Sequence, residues 1–306
     1  MNAKIYLLMI NLLVLGFLGG CNNEPAPTLI PTQVEPTHTS TPDEIVQFTP
    51  TPTQPLETPD FTPTPTATEF HSIQCLLGTG LRQQTVPIIL SHGEHGGFVM
   101  TASLALAEEH FPHLDGWTRV LGAPSIEQLE QKAKRAEQSD IPYEALAYGL
   151  ETSESTPDEE WQNLVESTER ARSIADDYDK LLVMGPGYRL MSQNEDQFPA
   201  ITALSDIWML QTQRLQVNPP GPIYREEVKR VVDQIKSGNP EIEIWAQITL
   251  PPDQEPSSLE WVEYKNSIKD IVSGTYIGVY TWDTHDNTML VTTIGEIFEN
   301  ACEGEQ

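Results

Sequence analysis

The sequence has 306 residues, of which 17 are Lys or Arg and 45 are Asp or Glu, and its formal net charge is −28 at pH 7. A chain this acidic is repelled by nucleic acid and by anionic lipid headgroups. Charge therefore excludes nucleic acid as a partner, while the acidity by itself names no substrate.

The first 20 residues have the pattern of an export signal. A single basic residue, Lys4, precedes an apolar run from residue 5 to residue 18, and the run ends in Leu18-Gly19-Gly20-Cys21. This run is too short for comfortable membrane spanning and has the length of a signal-peptide core. The stretch resembles a bacterial lipoprotein lipobox, and the resemblance implies a diacylglyceryl group on the Cys21 sulfur and cleavage before Cys21. An uncleaved anchor and an ordinary secretory signal are the alternatives.

A lipid on Cys21 implies where the protein is located. The chain would be exported, tethered to the cell membrane through its N-terminal lipid, and exposed on the extracytoplasmic side at the cell surface. The membrane would then be a partner through the lipid and not through surface charge.

Residues 21–68 are predicted to form a disordered stalk. Residues 22–68 hold 11 of the 25 prolines and none of the six tryptophans, with Thr-Pro repeats at residues 49–53 and 62–66. Such a segment cannot bury enough apolar surface to offset its conformational entropy. Proline-rich chains favour extended polyproline geometry at about 3.1 Å per residue. The predicted organisation is therefore a signal peptide (1–20), a stalk (21–68) and one folded domain (69–306).

Cysteine usage predicts one disulfide bond. Once Cys21 carries a lipid, only Cys75 and Cys302 remain, close to the two ends of the folded domain. Two thiols in an oxidising, exported setting most simply form a bridge. Two free buried thiols are the alternative if the host is reducing or anaerobic.

The folded domain alternates apolar runs with amphipathic segments. Residues 181–184 and 207–210 are continuously apolar, which is typical of strands in a parallel sheet covered on both faces. Five further strands are predicted at residues 86–90, 117–122, 143–150, 242–250 and 276–282. Capping patterns predict helices that begin after Ser125, Thr156 and Ser257. Another helix is predicted to pass through Met100, Leu104, Ala107 and Phe111. The interval between the strands at 181–184 and 207–210 has room for one crossover helix.

Seven such units fit a TIM-type (β/α) barrel, which has about 250 residues and eight strands. The eighth strand is residues 73–77, or the barrel is incomplete. A doubly wound open sheet is the competing architecture, because spacing alone does not show closure. No G-x-G-x-x-G run follows a predicted strand, so nucleotide binding is unsupported and we expect no cofactor.

Residues just past each strand of a barrel converge on one face, and here they mix carboxylates, amides and aromatic rings. Sugar sites use this mixture, because aromatic faces stack on pyranose rings, amides and Arg bind hydroxyls, and two carboxylates carry out acid–base chemistry. The predicted catalytic residues are Glu151, as acid/base, and Asp283, as the nucleophile or its base. The predicted substrate-binding residues are Tyr188, Arg189, Gln211, Gln213, Gln247 and Trp282.

The run Tyr280-Thr281-Trp282-Asp283 resembles the closing strand of glycoside-hydrolase barrels. The resemblance implies a tryptophan beneath a sugar subsite and a carbohydrate ligand. The chain departs from well-known patterns of that group, since it has neither an Asp-x-x-Asp-x-Asp-x-Glu run nor an Asn-Glu pair after the fourth predicted strand. These departures bear on catalysis more than on sugar binding.

Two alternatives stay open. In the first, His92 and His95 leave the first predicted strand and His285 leaves the last, so these histidines with Asp283 hold zinc in a metal-dependent hydrolase. Solvated histidines in a glycine-rich turn explain the same residues without a metal, and we expect no metal. In the second, the barrel is a non-catalytic binding module, because Gln211 and Gln247 stand where hydrolases often place carboxylates and amides do not transfer protons at neutral pH.

Overall fold

The computed structural model describes residues 76–92, 97–250, 257–279 and 287–301. The predicted signal peptide and stalk lie outside these ranges. So do seven of the candidate site, lipidation and disulfide residues: Cys21, Cys75, His95, Trp282, Asp283, His285 and Cys302.

Eight parallel strands form a closed barrel in the order β1 to β8. Each strand pairs with the next along the chain, and β8 pairs with β1 through the register Gly78 to Tyr276. The strands are β1 Leu77–Gly80, β2 Gly97–Thr101, β3 Trp117–Ala123, β4 Ala145–Tyr148, β5 Leu181–Met184, β6 Ile207–Gln211, β7 Glu243–Leu250 and β8 Gly274–Val279. The fold is a TIM barrel, as predicted, and it is complete rather than partial or open.

Helices connect successive strands. They are α1 Val86–Ser91, α2 Leu104–His110, α3 Ile126–Gln138, α4 Asp158–Gln162, α5 Leu164–Asp177, α6 Tyr188–Gln193, α7 Phe198–Ala203, α8 Pro222–Lys236, α9 Ser258–Ile268 and α10 Asn287–Ala301. Two of the predicted caps are confirmed, because the Ser125 hydroxyl accepts a hydrogen bond from Gln128 N and the Ser257 hydroxyl accepts one from Glu260 N.

The first predicted strand was wrong, because residues 86–90 lie in helix α1. The Thr85 hydroxyl accepts a hydrogen bond from Arg82 N (2.9 Å) and donates one to Gly80 O (2.7 Å), which turns the chain out of β1 and into the helix. Val86 and Ile89, three positions apart, face inward from α1. A short apolar run does not distinguish a strand from a buried helix.

This error also shifted the predicted bounds of the elements before and after residues 86–90. The first strand is Leu77–Gly80, which overlaps the predicted 73–77 only at Leu77. The second strand, Gly97–Thr101, was missed, and Met100 lies in it rather than in a helix. The helix expected there begins at Leu104.

Two other predicted helices are divided. Thr156 does not cap a helix, since its hydroxyl donates to Pro124 O (2.8 Å), and the segment after it forms α4 and α5 with a break at Asn163. The single helix expected between β5 and β6 is replaced by α6, a 3-10 turn at Glu195–Gln197, and α7.

The barrel bore is packed at its lower and middle levels. Phe98 belongs to this inner cluster, with its ring centroid 5.0 Å from Trp245 and 6.1 Å, edge-on, from Tyr276. Side chains alternate between the bore and the surrounding helices along each strand. The bore is therefore closed well below the carboxyl ends of the strands.

Candidate functional site

Three of the predicted site residues meet at the carboxyl ends of the strands, which we call the mouth. Gln211 Nε2 donates to Glu151 Oε1 (2.7 Å), and Gln213 Nε2 donates to Gln211 Oε1 (3.1 Å). A carboxylate and two amides thus form a continuous hydrogen-bonded chain. Within the described part of the sequence, Gln213 Oε1 is buried and finds no donor.

The strand pattern explains why Gln211 reaches this position. Ile207 and Met209 pack in the bore core, and Gln211 is the next residue of β6 with the same orientation. Glu151 follows β4 and extends across the end of β5 to meet it. Gly187 lies beside this path, and a Cβ built there would stand 3.7 Å from the Glu151 Cγ, in ordinary van der Waals contact.

Gln247 lines the same mouth from β7. Its side chain lies against Gly278 of β8, where an added Cβ would approach Gln247 Nε2 to 2.8 Å and Thr249 Oγ1 to 2.7 Å. Only glycine leaves room for this arrangement. The Gln247 amide is therefore held at the wall of the mouth by packing against neighbouring backbone.

The connection after β6 is fixed by hydrogen bonds to β7. The Thr212 hydroxyl donates to Gln247 O (2.7 Å), and Tyr224 donates to that hydroxyl (3.1 Å). The Gln216 amide donates to Thr249 O (3.0 Å) and accepts from Thr249 N (2.9 Å). These bonds immobilise the segment that carries Gln211 and Gln213.

Tyr188 and Arg189 do not join this cluster. Tyr188 opens helix α6 and packs against the core between strands and helices, while Arg189 is exposed on the same helix. Among the described residues, no hydrogen bond links either side chain to Glu151 or Gln211. Their predicted role as ligand contacts is not tested by this placement.

The predicted position of His92 was wrong. Because residues 86–90 are helical, His92 follows α1 and precedes β2, at the end of the barrel opposite the mouth. Its ring lies 5.2 Å from Phe298 of α10. His92 therefore does not share the mouth with Glu151, and in the described ranges no group of three or more His, Cys, Asp or Glu is arranged to hold a metal ion.

Sequence reasoning missed Tyr276 of β8, whose side chain is 6% exposed and points into the bore beneath the mouth. Burial raises the pKa of its hydroxyl, and the positive charge of Arg82 opposes that rise. The hydroxyl stays protonated at neutral pH and is able to donate a hydrogen bond.

No protein-family model matches this sequence, and no curated protein sequence matches it significantly. Among solved structures, a glycoside hydrolase family 17 β-1,3-glucanosyltransferase from Rhizomucor miehei is similar, with 10% identity and a TM-score of 0.47 over 69% of this chain and 88% of that one. The 3-keto-L-gulonate-6-phosphate decarboxylase from Vibrio cholerae has 8% identity and a TM-score of 0.45 over 74% and 97%.

A truncated 3-deoxy-D-arabino-heptulosonate 7-phosphate synthase from Thermotoga maritima has 15% identity and a TM-score of 0.38, over 59% of this chain and 61% of that one, which is less than two thirds of its length. Similarity at this level identifies neither a family nor an activity for the chain. Within its described residues, the structure contains no helix with the length and apolar character needed to cross a bilayer.

Proposed function

We propose that this chain is an exported, lipid-anchored protein whose barrel domain binds carbohydrate at the mouth. The observation that carries the proposal is the hydrogen-bonded chain of Glu151, Gln211 and Gln213, with the Gln247 amide on the same rim. Carboxylates and amides offer paired donors and acceptors, which is the chemistry that sugar hydroxyls require.

Binding is the first property to measure. The purified domain is tested by calorimetry against β-glucan, xylan, chitin and α-glucan oligosaccharides, with Gln211→Ala as the site variant. We expect at least one glycan class to bind and the variant to bind it more weakly. The proposal fails if no class binds to the parent protein, or if the variant binds as tightly as the parent.

Hydrolysis is a second candidate function, favoured by the exposed Glu151 carboxylate at the end of β4. A glycosidase needs a second carboxylate about 5 Å away for retention or about 6.5–9.5 Å away for inversion. Asp283 remains the predicted partner. Release of reducing ends by the parent, lost in both Glu151→Gln and Asp283→Asn, supports hydrolysis, whereas binding that persists in both variants without turnover in the parent supports a binding module.

The anchor rests on the lipobox-like run that ends in Cys21. Because the thioether to diacylglycerol needs the Cys21 sulfur, Cys21→Ser should move the protein from the membrane fraction to the soluble fraction and abolish labelling by a fatty-acid analogue. Cys75→Ser is the matched control and should stay in the membrane fraction. Equal fractionation of parent and Cys21→Ser would contradict the anchor without affecting carbohydrate binding.

A further inference from the structure

The partners of the Gln211 amide fix the direction in which it points. Gln211 Nε2 donates to Glu151 Oε1 (2.7 Å) and to Gly185 O (3.4 Å). An ionised carboxylate and a backbone carbonyl accept hydrogen bonds and have no proton to donate. The Nε2 group of Gln211 must therefore face these two oxygens, and its Oε1 must point away from them.

Gln213 supplies the donor that Gln211 Oε1 then requires. Gln213 Nε2 lies 3.1 Å from this oxygen and donates to it. The opposite orientation of the Gln213 amide would bring two acceptor oxygens together. The hydrogen-bonded chain therefore has one direction, from Gln213 through Gln211 to Glu151.

This direction explains an unpaired atom of Gln213. Gln213 Oε1 is buried, and no described residue donates to it. A buried acceptor without a donor costs stability and calls for an explanation. Turning the amide over would lose the bond to Gln211 and oppose two oxygens. The unpaired oxygen is thus a consequence of directing Gln213 Nε2 toward Gln211.

The hydrogen-bonded chain joins a fixed backbone segment to an exposed carboxylate. Next to Gln213, Thr212 N donates to Gln247 O (3.1 Å), and Leu215 N donates to Thr212 O (2.8 Å). Glu151 is exposed at the mouth, where a glutamate samples several rotamers unless a partner holds it. The bonds from Gln213 to Gln211 and from Gln211 to Glu151 supply that hold.

We infer that Gln213 is a positioning residue, which orients the Gln211 amide and through it holds the Glu151 carboxylate in one direction at the mouth. Gln213 needs no contact with a ligand for this role. The consequence for binding rests on the proposed carbohydrate function, because Glu151 is the carboxylate that would meet the glycan. The direction of the hydrogen-bonded chain is a property of the free protein and is measured without a ligand.

The side-chain amide signal of Gln211 provides the first test. Gln213→Met removes the donor, keeps a similar size and adds no charge. In proton–nitrogen correlation spectra of the purified protein, we expect the Gln211 Nε2 protons to shift in this variant and to exchange with water about 2- to 10-fold faster, as loss of one hydrogen bond implies. An unchanged Gln211 signal would overturn the inference.

Gln131→Met is the matched control. It removes one bond from a glutamine to a glutamate, Gln131 Nε2 to Glu127 Oε1 (3.0 Å), on the exposed face of α3. The Gln211 signal should stay at its parental position in this variant. A shift of equal size in both variants would show that the signal does not report on Gln213, and would also overturn the inference.

Reversal of polarity tests the direction of the hydrogen-bonded chain. At neutral pH, Gln213→Glu places an acceptor opposite Gln211 Oε1 and should lower the melting temperature by about 2–4 °C. Adding Glu151→Gln allows every bond to run the other way, so most of this loss should be recovered. Glu154→Gln, at an exposed site in the same loop, removes the same charge and should recover little. Equal recovery by both second substitutions would contradict the fixed direction.

Glycan binding shows whether this positioning matters at the mouth. Gln213→Met should weaken binding of the glycan class that the parent binds by about 2- to 10-fold, and Gln131→Met should not weaken it. Parental affinity in Gln213→Met together with a shifted Gln211 signal would overturn the positioning role in binding. If the parent binds no carbohydrate, the proposed function fails, while the Gln211 signal and the polarity reversal still decide whether Gln213 directs the hydrogen-bonded chain.

Discussion

Gln211 Nε2 lies 2.7 Å from Glu151 Oε1, so an amide from β6 holds a carboxylate that follows β4. The contact passes over the end of β5, where Gln211 Nε2 also donates to Gly185 O (3.4 Å). The two residues are 60 positions apart in the sequence. The pairing of β4, β5 and β6 in one sheet, and not local sequence, brings them together, and the pair contributes to the polar character of the mouth.

Replacing Gln211 by alanine should weaken glycan binding about 5- to 30-fold, because it removes one hydrogen bond to the ligand, worth about 1–2 kcal/mol, and releases Glu151. Calorimetric titration of parent and variant measures the change. Gln131→Ala is a matched control, since Gln131 bonds only to Glu127 on the exposed face of α3. Equal losses in both variants would show that the effect is not specific to the mouth.

A buried carboxylate supports the elements behind the mouth. Glu160 is 4% exposed and accepts hydrogen bonds from Tyr148 Oη (2.7 Å) and from Ile126 N at the start of α3 (3.1 Å to either oxygen). Burial, and then the neighbouring Glu160, raise the pKa of Tyr148, so its hydroxyl remains a donor. We expect Tyr148→Phe to destabilise the domain by about 1–2 kcal/mol and Glu160→Ala by about 3 kcal/mol, measured by urea unfolding.

The double variant decides whether these two effects are linked. Because both residues share one hydrogen bond, the combined loss should be smaller than the sum of the single losses by about 1 kcal/mol. Strict additivity would show that the Tyr148 hydroxyl contributes nothing through Glu160.

The sequence predicted the barrel because most strands carry an unambiguous pattern. The runs at 181–184 and 207–210 are strands in the structure with the expected bounds, extended only to Gln211. The segment 86–90 has the same apolar character, but the turn made by Thr85 places it outside the sheet. The local apolar pattern determines that a segment is buried. The register of the whole barrel determines whether that segment lies in the sheet or in the surrounding layer of helices.

Site residues were predicted correctly where the strand that carries them was predicted correctly. Glu151 follows β4, Gln211 ends β6 and Gln213 follows it; both strands were correctly placed, and the structure brings the three residues together. His92 was misplaced because its strand was wrong. Tyr276 could not be assigned to the bore, because a shift of one residue in strand register reverses which side chains face inward.

The predicted disulfide joins Cys75 and Cys302, which in the sequence precede β1 and follow α10 and lie outside the described residues. β1 pairs with β8, and Phe298 of α10 contacts the first units of the barrel through His92 and Trp117. Non-reduced peptide mapping should yield one linked pair, and reduction should lower the melting temperature, since the loop-entropy model gives at most about 5 kcal/mol for a loop of this length. Full alkylation of both thiols in denaturant without a reductant would rule out the bridge.

We expect the stability of the domain to depend on pH through Glu243, which lies at the end of the bore opposite the mouth. It is the first residue of β7 and accepts a hydrogen bond from Trp245 Nε1 (2.8 Å); burial raises its pKa, and that bond partly opposes the rise. The folded state then binds the proton more tightly than the unfolded state does. The contribution of Glu243 to the free energy of unfolding is therefore complete at pH values below the pKa of Glu243 in the unfolded state, and it is lost as the pH rises through its pKa in the folded state. Glu243→Gln keeps an acceptor for Trp245 without the charge, so the melting temperature of the variant relative to the parent should be higher at pH 7 than at pH 4.

Glu241→Gln, at an exposed site two residues earlier, controls for the loss of one charge. A difference between Glu243→Gln and the parent that stays constant from pH 4 to pH 7 would show that Glu243 is ionised equally in the folded and unfolded states.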